Sequence, residues 1–176
     1  MLDGAKPDIP GVSKEALLLS KDVGDPSYSL SERIESFEDI INIEVGDTSF
    51  TRARNLERES GIRQLFLKFE GNNPTGTQKD RIAFSQCHDA LRRGFDAIST
   101  ATCGNYGASI ALAAKLAGLK CKIFIPQDYH TQRIQEMTSY GAEVERYHGN
   151  YEESVRHSID RAETSGWYDA NPGGVN

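Results

Sequence analysis

The strongest constraint on the fold is a strict alternation of strand and helix patterns between residues 97 and 164. Short apolar runs alternate three times with longer segments of helical periodicity. The predicted strands cover residues 97–100, 121–125 and 142–147, and the predicted helices cover residues 108–117, 131–140 and 151–164. Gly118 and Gly141 follow two of these helices, where a left-handed residue is favoured. The alternation predicts βαβ units, and therefore a three-layer α/β fold with a parallel sheet covered by helices.

The residues before this segment fall into two parts. Residues 1–45 hold a lead punctuated by glycine and proline, and one amphipathic helix with Ser31 as its N-cap. The residues that would form the apolar face of this helix are Ile34, Phe37 and Ile41. We expect this arm to pack against the rest of the protein or against a neighbouring subunit. Residues 46–95 contain a short strand at 65–69, a run of turn formers and a helix at 79–93.

Composition excludes several classes of function. The 176 residues carry a formal net charge of -6, which gives no broad positive field for nucleic acid. No run approaches the ~18 consecutive apolar residues that a membrane-spanning helix needs, and no basic start followed by an apolar run marks a signal peptide. The three cysteines and four histidines show no metal-ligand spacing. We therefore expect a cytoplasmic protein with reduced thiols, no metal ion, and no nucleic-acid or membrane partner.

The segment at residues 73–81, with the sequence NPTGTQKDR, brings a lysine to the predicted start of a helix. Pro74 and Gly76 favour a tight turn, which places Lys79 in the first helical turn. Backbone N–H groups and the positive end of the helix dipole disfavour an ammonium there, and the neutral amine is the form that attacks an aldehyde. Taken alone, this position is more often that of an ordinary surface lysine.

The spacing of Gly71 and Gly76 also resembles the start of a phosphate-binding P-loop. That motif requires lysine followed by serine or threonine directly after its second glycine. In this sequence two residues separate Gly76 from Lys79, and the acidic Asp80 follows. The P-loop interpretation is therefore excluded.

A second loop, TCGNYG at residues 102–107, links a predicted strand to a predicted helix. Ligands of parallel sheets collect at the carboxyl ends of strands, which is where this loop lies. Gly104 and Gly107 let a ligand approach the backbone, and the helix N-terminus behind them favours an anion such as a carboxylate or a phosphate. The alternative is a plain helix start capped by Asn105. The spacing is not that of a dinucleotide-binding loop.

Together these segments resemble a known family. Residues 73–81 are similar to the NPTGSxKDR signature of threonine synthase, and KDRIA at 79–83 is also similar to cysteine synthase. TCGN at 102–105 resembles the Ser/Thr-Ser/Thr-Gly-Asn loop of the fold type II enzymes that depend on pyridoxal 5′-phosphate (PLP). GDTSF at 46–50 resembles the GDTPL segment that precedes the lysine loop in this group. The motifs occur in the expected order and, with the βαβ pattern, cover residues 46–176.

The resemblance implies a role for each matching residue. Lys79 would bind the PLP cofactor through its amine and then act as general base and acid at the substrate Cα. Asn105 would hydrogen-bond the 3′-oxygen of the cofactor and hold the ring. The residues that would bind the α-carboxylate of an amino-acid substrate, through a hydroxyl, a thiol or backbone N–H groups, are Thr102, Cys103, Gly104 and Tyr106.

The sequence departs from the family pattern in three places. Ser49 and Phe50 replace Pro-Leu, and Gln78 stands where an apolar residue is usual. Cys103 stands where serine or threonine is usual, and is either a substrate contact or a small buried residue. These departures affect the expected substrate more than the expected cofactor.

The final residues, NPGGVN at 171–176, resemble a point in the middle of threonine synthase. The resemblance places the glycine-rich loop for the PLP phosphate in a later segment. The chain is therefore expected to be an N-terminal portion: a fragment, one part of a two-chain protein, or a truncated relative without activity. On this basis we expect it to bind PLP weakly when isolated.

The resemblance also sets expectations for function and domain organisation. The expected reaction is elimination or replacement at Cβ or Cγ of an amino acid, with threonine synthase-like chemistry as the first candidate. Cysteine or cysteate synthesis, or a threonine dehydratase-like elimination, is the second, and a non-catalytic scaffold is the rival from another class. Residues 1–45 would be an arm, 46–95 part of a large PLP-binding domain, and 96–176 a smaller α/β domain with the start of the return to the large one. A homodimer is expected from the family alone.

Overall fold

A computed structural model of the chain describes residues 9–173. The helices are α1 Lys14–Gly24, α2 Leu30–Glu44, α3 Arg54–Ser60, α4 Lys79–Arg92, α5 Asn105–Leu116, α6 Arg133–Ser139 and α7 Tyr151–Ser165. The strands are β1 Phe50–Arg52, β2 Phe66–Lys68, β3 Ala97–Ala101, β4 Lys120–Pro126, β5 Glu143–Tyr147 and β6 Tyr168–Asp169. A single 3-10 turn, Glu70–Asn72, precedes the lysine loop.

Four strands form one parallel sheet in the order β5-β4-β3-β6. The chain runs outward from β3 to β5 and then returns through α7 to place β6 on the other side of β3. Right-handed crossovers therefore put α5 and α6 on one face of the sheet and α7 on the other. The predicted α/β fold with a parallel sheet is confirmed, and the reversal of direction occurs at the carboxyl ends of β3 and β6.

The centre of the molecule is β3 together with α5. All five residues of β3 are buried, as expected for a strand covered on both faces. Helix α5 contacts β3 and β4 on one side and α1, α4 and α6 on the other, and it is buried nearly all round. Because α5 begins at Asn105, the second loop is held at the end of the most buried helix of the described chain.

The N-terminal arm contains two helices in the structure, where the sequence predicted one. Helix α1, capped by Ser13, was missed. The predicted cap of the other helix was wrong: Ser29, not Ser31, caps α2, because Ser29 forms a reciprocal capping box with Glu32. The predicted apolar face packs on α4, where the ring of Phe37 stacks on that of Phe84 at 6.0 Å between centroids. The arm thus packs against the rest of its own chain.

The two remaining strands form a separate antiparallel hairpin, β1–β2, rather than part of the parallel sheet. The predicted strand at 65–69 shortens to Phe66–Lys68. All six residues of the hairpin strands are exposed, and the rings of Phe50 and Phe66 stack at 5.0 Å between centroids. The hairpin therefore presents an apolar surface to solvent.

The other predicted boundaries hold to within a few residues. Helix α5 begins three residues earlier than predicted, because Gly104 rather than a later residue ends the loop. Gly118 and Gly141 have positive φ angles of 68° and 90°, which confirms their predicted left-handed conformation. No helix within residues 9–173 combines the length and the apolar character that crossing a membrane requires.

Candidate active site

Lys79 is the first residue of α4, as the sequence predicts. Its backbone N–H donates to the hydroxyl of Thr77 at 3.1 Å, and its side chain is exposed. The Nζ atom forms no hydrogen bond or ion pair with any other residue between 9 and 173. The amine is therefore free to meet a ligand at the N-terminal end of a helix.

The loop that leads to Lys79 is held from outside by an ion pair. Arg81 Nε lies 2.8 Å from Glu70 Oε2, and Arg81 Nη2 lies 3.0 Å from Glu70 Oε1, so the pair is bidentate. The Asn73 amide donates to Glu70 Oε2 at 3.0 Å and accepts from the Gly46 N–H at 3.1 Å. Gly46 has a φ of +98°, and a Cβ there would lie 2.9 Å from the Arg81 guanidinium. These contacts fasten the GDTSF segment to the lysine loop.

A second set of contacts holds the same loop from inside. The Asp80 carboxylate is fully buried and accepts from the Thr75 N–H at 2.9 Å and from the Thr75 hydroxyl at 2.7 Å. The Thr75 hydroxyl also lies 2.9 Å from the hydroxyl of Ser109 in α5, and Ser109 Oγ lies 3.0 Å from the Asn105 carbonyl oxygen. The one hydroxyl proton of Thr75 goes to Asp80, so the bond between Thr75 and Ser109 requires Ser109 to donate to Thr75 rather than to Asn105. This path, the Asp80–Thr75–Ser109 chain, joins the N-terminal turns of α4 and α5.

Burial is the largest influence on the Asp80 carboxyl and raises its pKa above the ordinary value. The hydrogen bonds from Thr75 and Ser109 and the charge of Arg133 act in the opposite direction. Arg133 also donates to the Thr75 carbonyl oxygen at 3.4 Å and pairs with Glu136 at 2.6 Å. The loop is thus closed by side chains of α4, α5 and α6.

The second predicted loop lies at the carboxyl end of β3. The Thr102 N–H still belongs to the sheet, because it donates to the Phe124 carbonyl oxygen at 3.1 Å. The next four backbone N–H groups, those of Cys103, Gly104, Asn105 and Tyr106, find no acceptor within residues 9–173. The Asn105 side-chain amide is exposed and likewise forms no hydrogen bond in that range. Unpaired donors at a helix N-terminus suit an anion.

The side chain of Tyr106 does not point toward this group of donors. Its hydroxyl is buried, donates to the Ala170 carbonyl oxygen at 2.7 Å, and also bonds to Gln86 of α4. Burial raises its pKa well above the ordinary value. The Tyr106 hydroxyl is therefore taken up by these bonds, which leaves its backbone N–H as the group that could bind a carboxylate at the loop.

Cys103 is half-buried, and burial raises the pKa of its thiol. It lines a cleft of about 550 Å³ at the carboxyl ends of β3, β4 and β5. The other residues around this cleft are Pro126, Asp128, Tyr129, Gly149, Asn150 and Tyr151. The structure thus places Thr102 in the sheet and Cys103 at an open cleft.

Comparison with known proteins assigns the family. A family model described as "Pyridoxal-phosphate dependent enzyme" matches residues 41–176. The chain belongs to this family. The resemblance seen in the sequence motifs is confirmed, and the cofactor of the family is the predicted pyridoxal phosphate.

Several relatives and solved structures of the family resemble the chain. Threonine synthase of Methanocaldococcus jannaschii is 30% identical over 142 residues, covering 80% of this chain and 35% of that enzyme. Cysteine synthase B of Escherichia coli is 36% identical over 104 residues, covering 57% of this chain and 34% of that enzyme. The solved structure of a pyridoxal 5′-phosphate-dependent aspartate racemase is 27% identical with a TM-score of 0.65, covering 78% of this chain and 44% of that one. The chain thus spans about a third of the length of these two curated relatives.

The described residues fit the cofactor of the family at two points. Pyridoxal phosphate has an aldehyde, which an amine can bind, and a 3′-oxygen, which an amide N–H can reach. The amine of Lys79 and the side-chain amide of Asn105, neither of which forms a hydrogen bond within residues 9–173, would suit these two groups. The Asp80–Thr75–Ser109 chain ties the helix starts on which they stand, a link that sequence reasoning missed. No local pattern around Thr75 indicates it, because its partner Ser109 lies 34 residues later in the chain.

The Glu70–Arg81 ion pair should be visible in the pH dependence of stability. The Arg81 guanidinium beside Glu70 lowers the pKa of that carboxyl from 4.5 to about 2. Its contribution is therefore fully present above pH 4.5 and is lost as the pH falls toward 2. We expect urea unfolding to show that the difference in free energy of unfolding between the wild type and Glu70→Gln becomes smaller as the pH falls from 4.5 toward 2. The control is Glu35→Gln, on an exposed carboxylate without a hydrogen bond within residues 9–173. A constant gap would show that the ion pair does not hold the loop.

Proposed function

We propose that this chain is the lysine-bearing part of a PLP-dependent enzyme and that Lys79 binds the cofactor. The observation that carries the proposal is the pairing of a free amine with a group of unbonded donors. The amine lies at the start of α4, the donors lie at the start of α5, and the Asp80–Thr75–Ser109 chain joins the two helix starts. Membership of the family supplies the aldehyde that such an amine would bind.

The proposed roles follow from the donor atoms that each residue has without a partner within residues 9–173. When bound, the cofactor withdraws electrons from the substrate Cα. Lys79 would move the proton at that carbon, and the Asn105 amide would donate to the 3′-oxygen of the ring. The backbone N–H groups of Cys103, Gly104 and Tyr106 would hold the substrate α-carboxylate, because each lacks another acceptor within residues 9–173.

Two side chains of the second loop are also proposed to take part. The Cys103 thiol faces the cleft and would contact the substrate as a neutral group, because burial raises its pKa. Thr102 would act near the carboxylate through its hydroxyl, although its backbone N–H is taken by β4. The hydroxyl of Tyr106 has no part in the proposal.

The reaction we propose is elimination or replacement at Cβ or Cγ of an amino acid, with threonine synthase-like chemistry first. The NPTG sequence and the threonine synthase relative that matches 80% of the chain favour it. Cysteine or cysteate synthesis, or a threonine dehydratase-like elimination, is the second candidate, and relatives named cysteine synthase B favour it. A scaffold without catalysis is the remaining alternative.

The domain division is also a proposal. An apolar hairpin exposed along both strands supports the view that residues 46–95 belong to a larger domain, because an isolated two-stranded hairpin is marginal in water. Residues 1–45 would be an arm, and residues 96–176 the smaller α/β domain. The assembly we propose is a cytoplasmic homodimer that acts on a free amino acid.

Reductive trapping tests the role of Lys79. With excess PLP and borohydride, we expect the cofactor to become attached at Lys79, as read by peptide mass spectrometry, and Lys79→Ala to remove the attachment without unfolding the protein. The matched control is Lys120→Ala, an exposed lysine at the opposite end of the sheet, which should leave trapping unchanged. Attachment at another lysine in the wild type would overturn the proposal.

A substrate panel on the full-length protein separates the candidate reactions. We expect release of phosphate from O-phosphohomoserine with formation of threonine, measured by a phosphate assay and amino-acid analysis. Turnover of O-acetylserine or phosphoserine with sulfide or sulfite, or deamination of threonine, would move the assignment to the second candidate. Trapping at Lys79 without turnover of any of these substrates would favour the scaffold.

A further inference from the structure

Asn171, two residues after the end of β6, has an almost fully buried side chain, 3% exposed, that uses all of its hydrogen-bonding capacity. Its Oδ1 accepts from the Ala101 N–H at 2.9 Å and from the Thr100 hydroxyl at 3.3 Å. Its Nδ2 donates to the Ser158 hydroxyl at 2.7 Å and to Asp169 Oδ1 at 2.6 Å. A buried amide with four partners is rigid, because any rotation leaves a buried polar group unpaired.

The hydrogen bond between the Asn171 side chain and the Ala101 N–H replaces a backbone bond at the point where the pairing between β3 and β6 ends. Strand β6 pairs with β3 at Ile98 and Ser99, and the Ala170 N–H donates to the Ser99 carbonyl oxygen at 2.8 Å. Beyond that point, within residues 9–173, no backbone acceptor on the β6 side meets the Ala101 N–H, and the Asn171 side chain takes its place. On the other edge, the Thr102 N–H remains bonded to β4. Both edges of β3 are therefore fixed up to the residue before the unbonded donors begin.

Ala170, the residue before Asn171, fixes the other side of the loop at residues 102–107. The Ala170 carbonyl oxygen accepts from the Tyr106 hydroxyl at 2.7 Å. Residues 170 and 171 thus hold Ala101, just before the loop, and Tyr106, near the end of the loop. The free N–H groups between these two points can keep a fixed direction without an acceptor of their own.

We propose that Asn171 is a positioning residue that sets the direction of the N–H groups of Cys103, Gly104 and Asn105. This inference rests on the proposed function, in which the N–H groups of Cys103 and Gly104 face the substrate and Asn105 holds the cofactor. Asn171 lies almost seventy residues later in the chain than the loop, and it touches neither substrate nor cofactor in this assignment. It acts through β3, by preventing the last residue of the strand from turning away.

The thiol of Cys103 reports on this loop without any cofactor. The other two cysteines, Cys87 and Cys121, are buried, and burial raises the pKa of each thiol. The labelling rate with a dipyridyl disulfide therefore measures Cys103, and Cys103→Ser gives the background. We expect Asn171→Ala to raise this rate about tenfold, because local opening no longer breaks two buried hydrogen bonds to β3.

A matched control separates this local effect from general destabilisation. Phe37→Leu weakens the packing of α2 on α4 and leaves the residues around Asn171 untouched. It should keep the labelling rate within about twofold of wild type. A rate for Asn171→Ala that stays at the wild-type value, or an equal rise in Phe37→Leu, would overturn the positioning role.

Amide hydrogen exchange in the wild-type protein needs no variant. We expect a slow Ala101 amide beside fast amides at Cys103, Gly104 and Asn105, because only the first has a partner. Exchange of the Ala101 amide as fast as that of Cys103 would contradict the bond to Asn171.

Borohydride trapping of PLP in the same variants is the functional readout. We expect less trapped cofactor in Asn171→Ala and an unchanged amount in Phe37→Leu at equal PLP concentration. Unchanged trapping in Asn171→Ala would show that the loop direction does not matter to the site. Absence of trapping in the wild type would count against the proposed function alone, because thiol labelling and hydrogen exchange are read without cofactor.

Discussion

The site depends on a buried carboxylate that lies between two helices. Moving Asp80 out of water is unfavourable, and its raised pKa reflects that cost. The cost is offset by two hydrogen bonds from Thr75, whose hydroxyl in turn meets Ser109 in α5. Because a buried polar network is stable only when all its members are paired, it tolerates one arrangement of the lysine loop against α5. Because Lys79 directly precedes Asp80, the same hydrogen bonds fix the position of its backbone.

Other contacts help to hold the lysine loop and the start of α5 in place. The Glu70–Arg81 pair fastens the outside of the lysine loop, and the capping of α5 by Gly104 leaves its first donors unpaired. The sheet supplies the fixed end of β3 from which the second loop leaves. An unpaired amine and a helix start with unpaired N–H groups, both within residues 9–173, thus come from separate segments and are joined by the side chains of Asp80, Thr75 and Ser109.

Much of this could be predicted from local patterns. The helix start at Lys79 followed from the proline and glycine before it, and the parallel sheet followed from strict strand–helix alternation. The bond from Thr75 to Ser109 could not be predicted, because it joins residues 34 positions apart that only the packed fold brings together. The bond from the Tyr106 hydroxyl to the Ala170 carbonyl oxygen could not be predicted for the same reason, since its acceptor lies beyond β6. Helix α1 is hard to predict because its short run of leucines lies within a segment punctuated by glycine and proline.

The departures from the family pattern have local physical explanations. Ser49 donates its backbone N–H to Asn72 at 3.2 Å, a bond that the usual proline could not form. Phe50 stacks on Phe66 across the hairpin, where a leucine would offer no ring. Gln78 is exposed at the N-cap of α4, where a polar side chain costs little. Of these departures, only Cys103 lies at the cleft itself.

The most direct test of the link between the two helix starts is a double-mutant cycle on Thr75→Val and Ser109→Ala. Unfolding free energies of the wild type, both single variants and the double variant give the coupling between the two hydroxyls. If the bond holds the lysine loop against α5, the coupling should be about 0.5–3 kcal/mol. Additivity within about 0.3 kcal/mol would mean that the two residues are energetically independent and that something else positions Lys79.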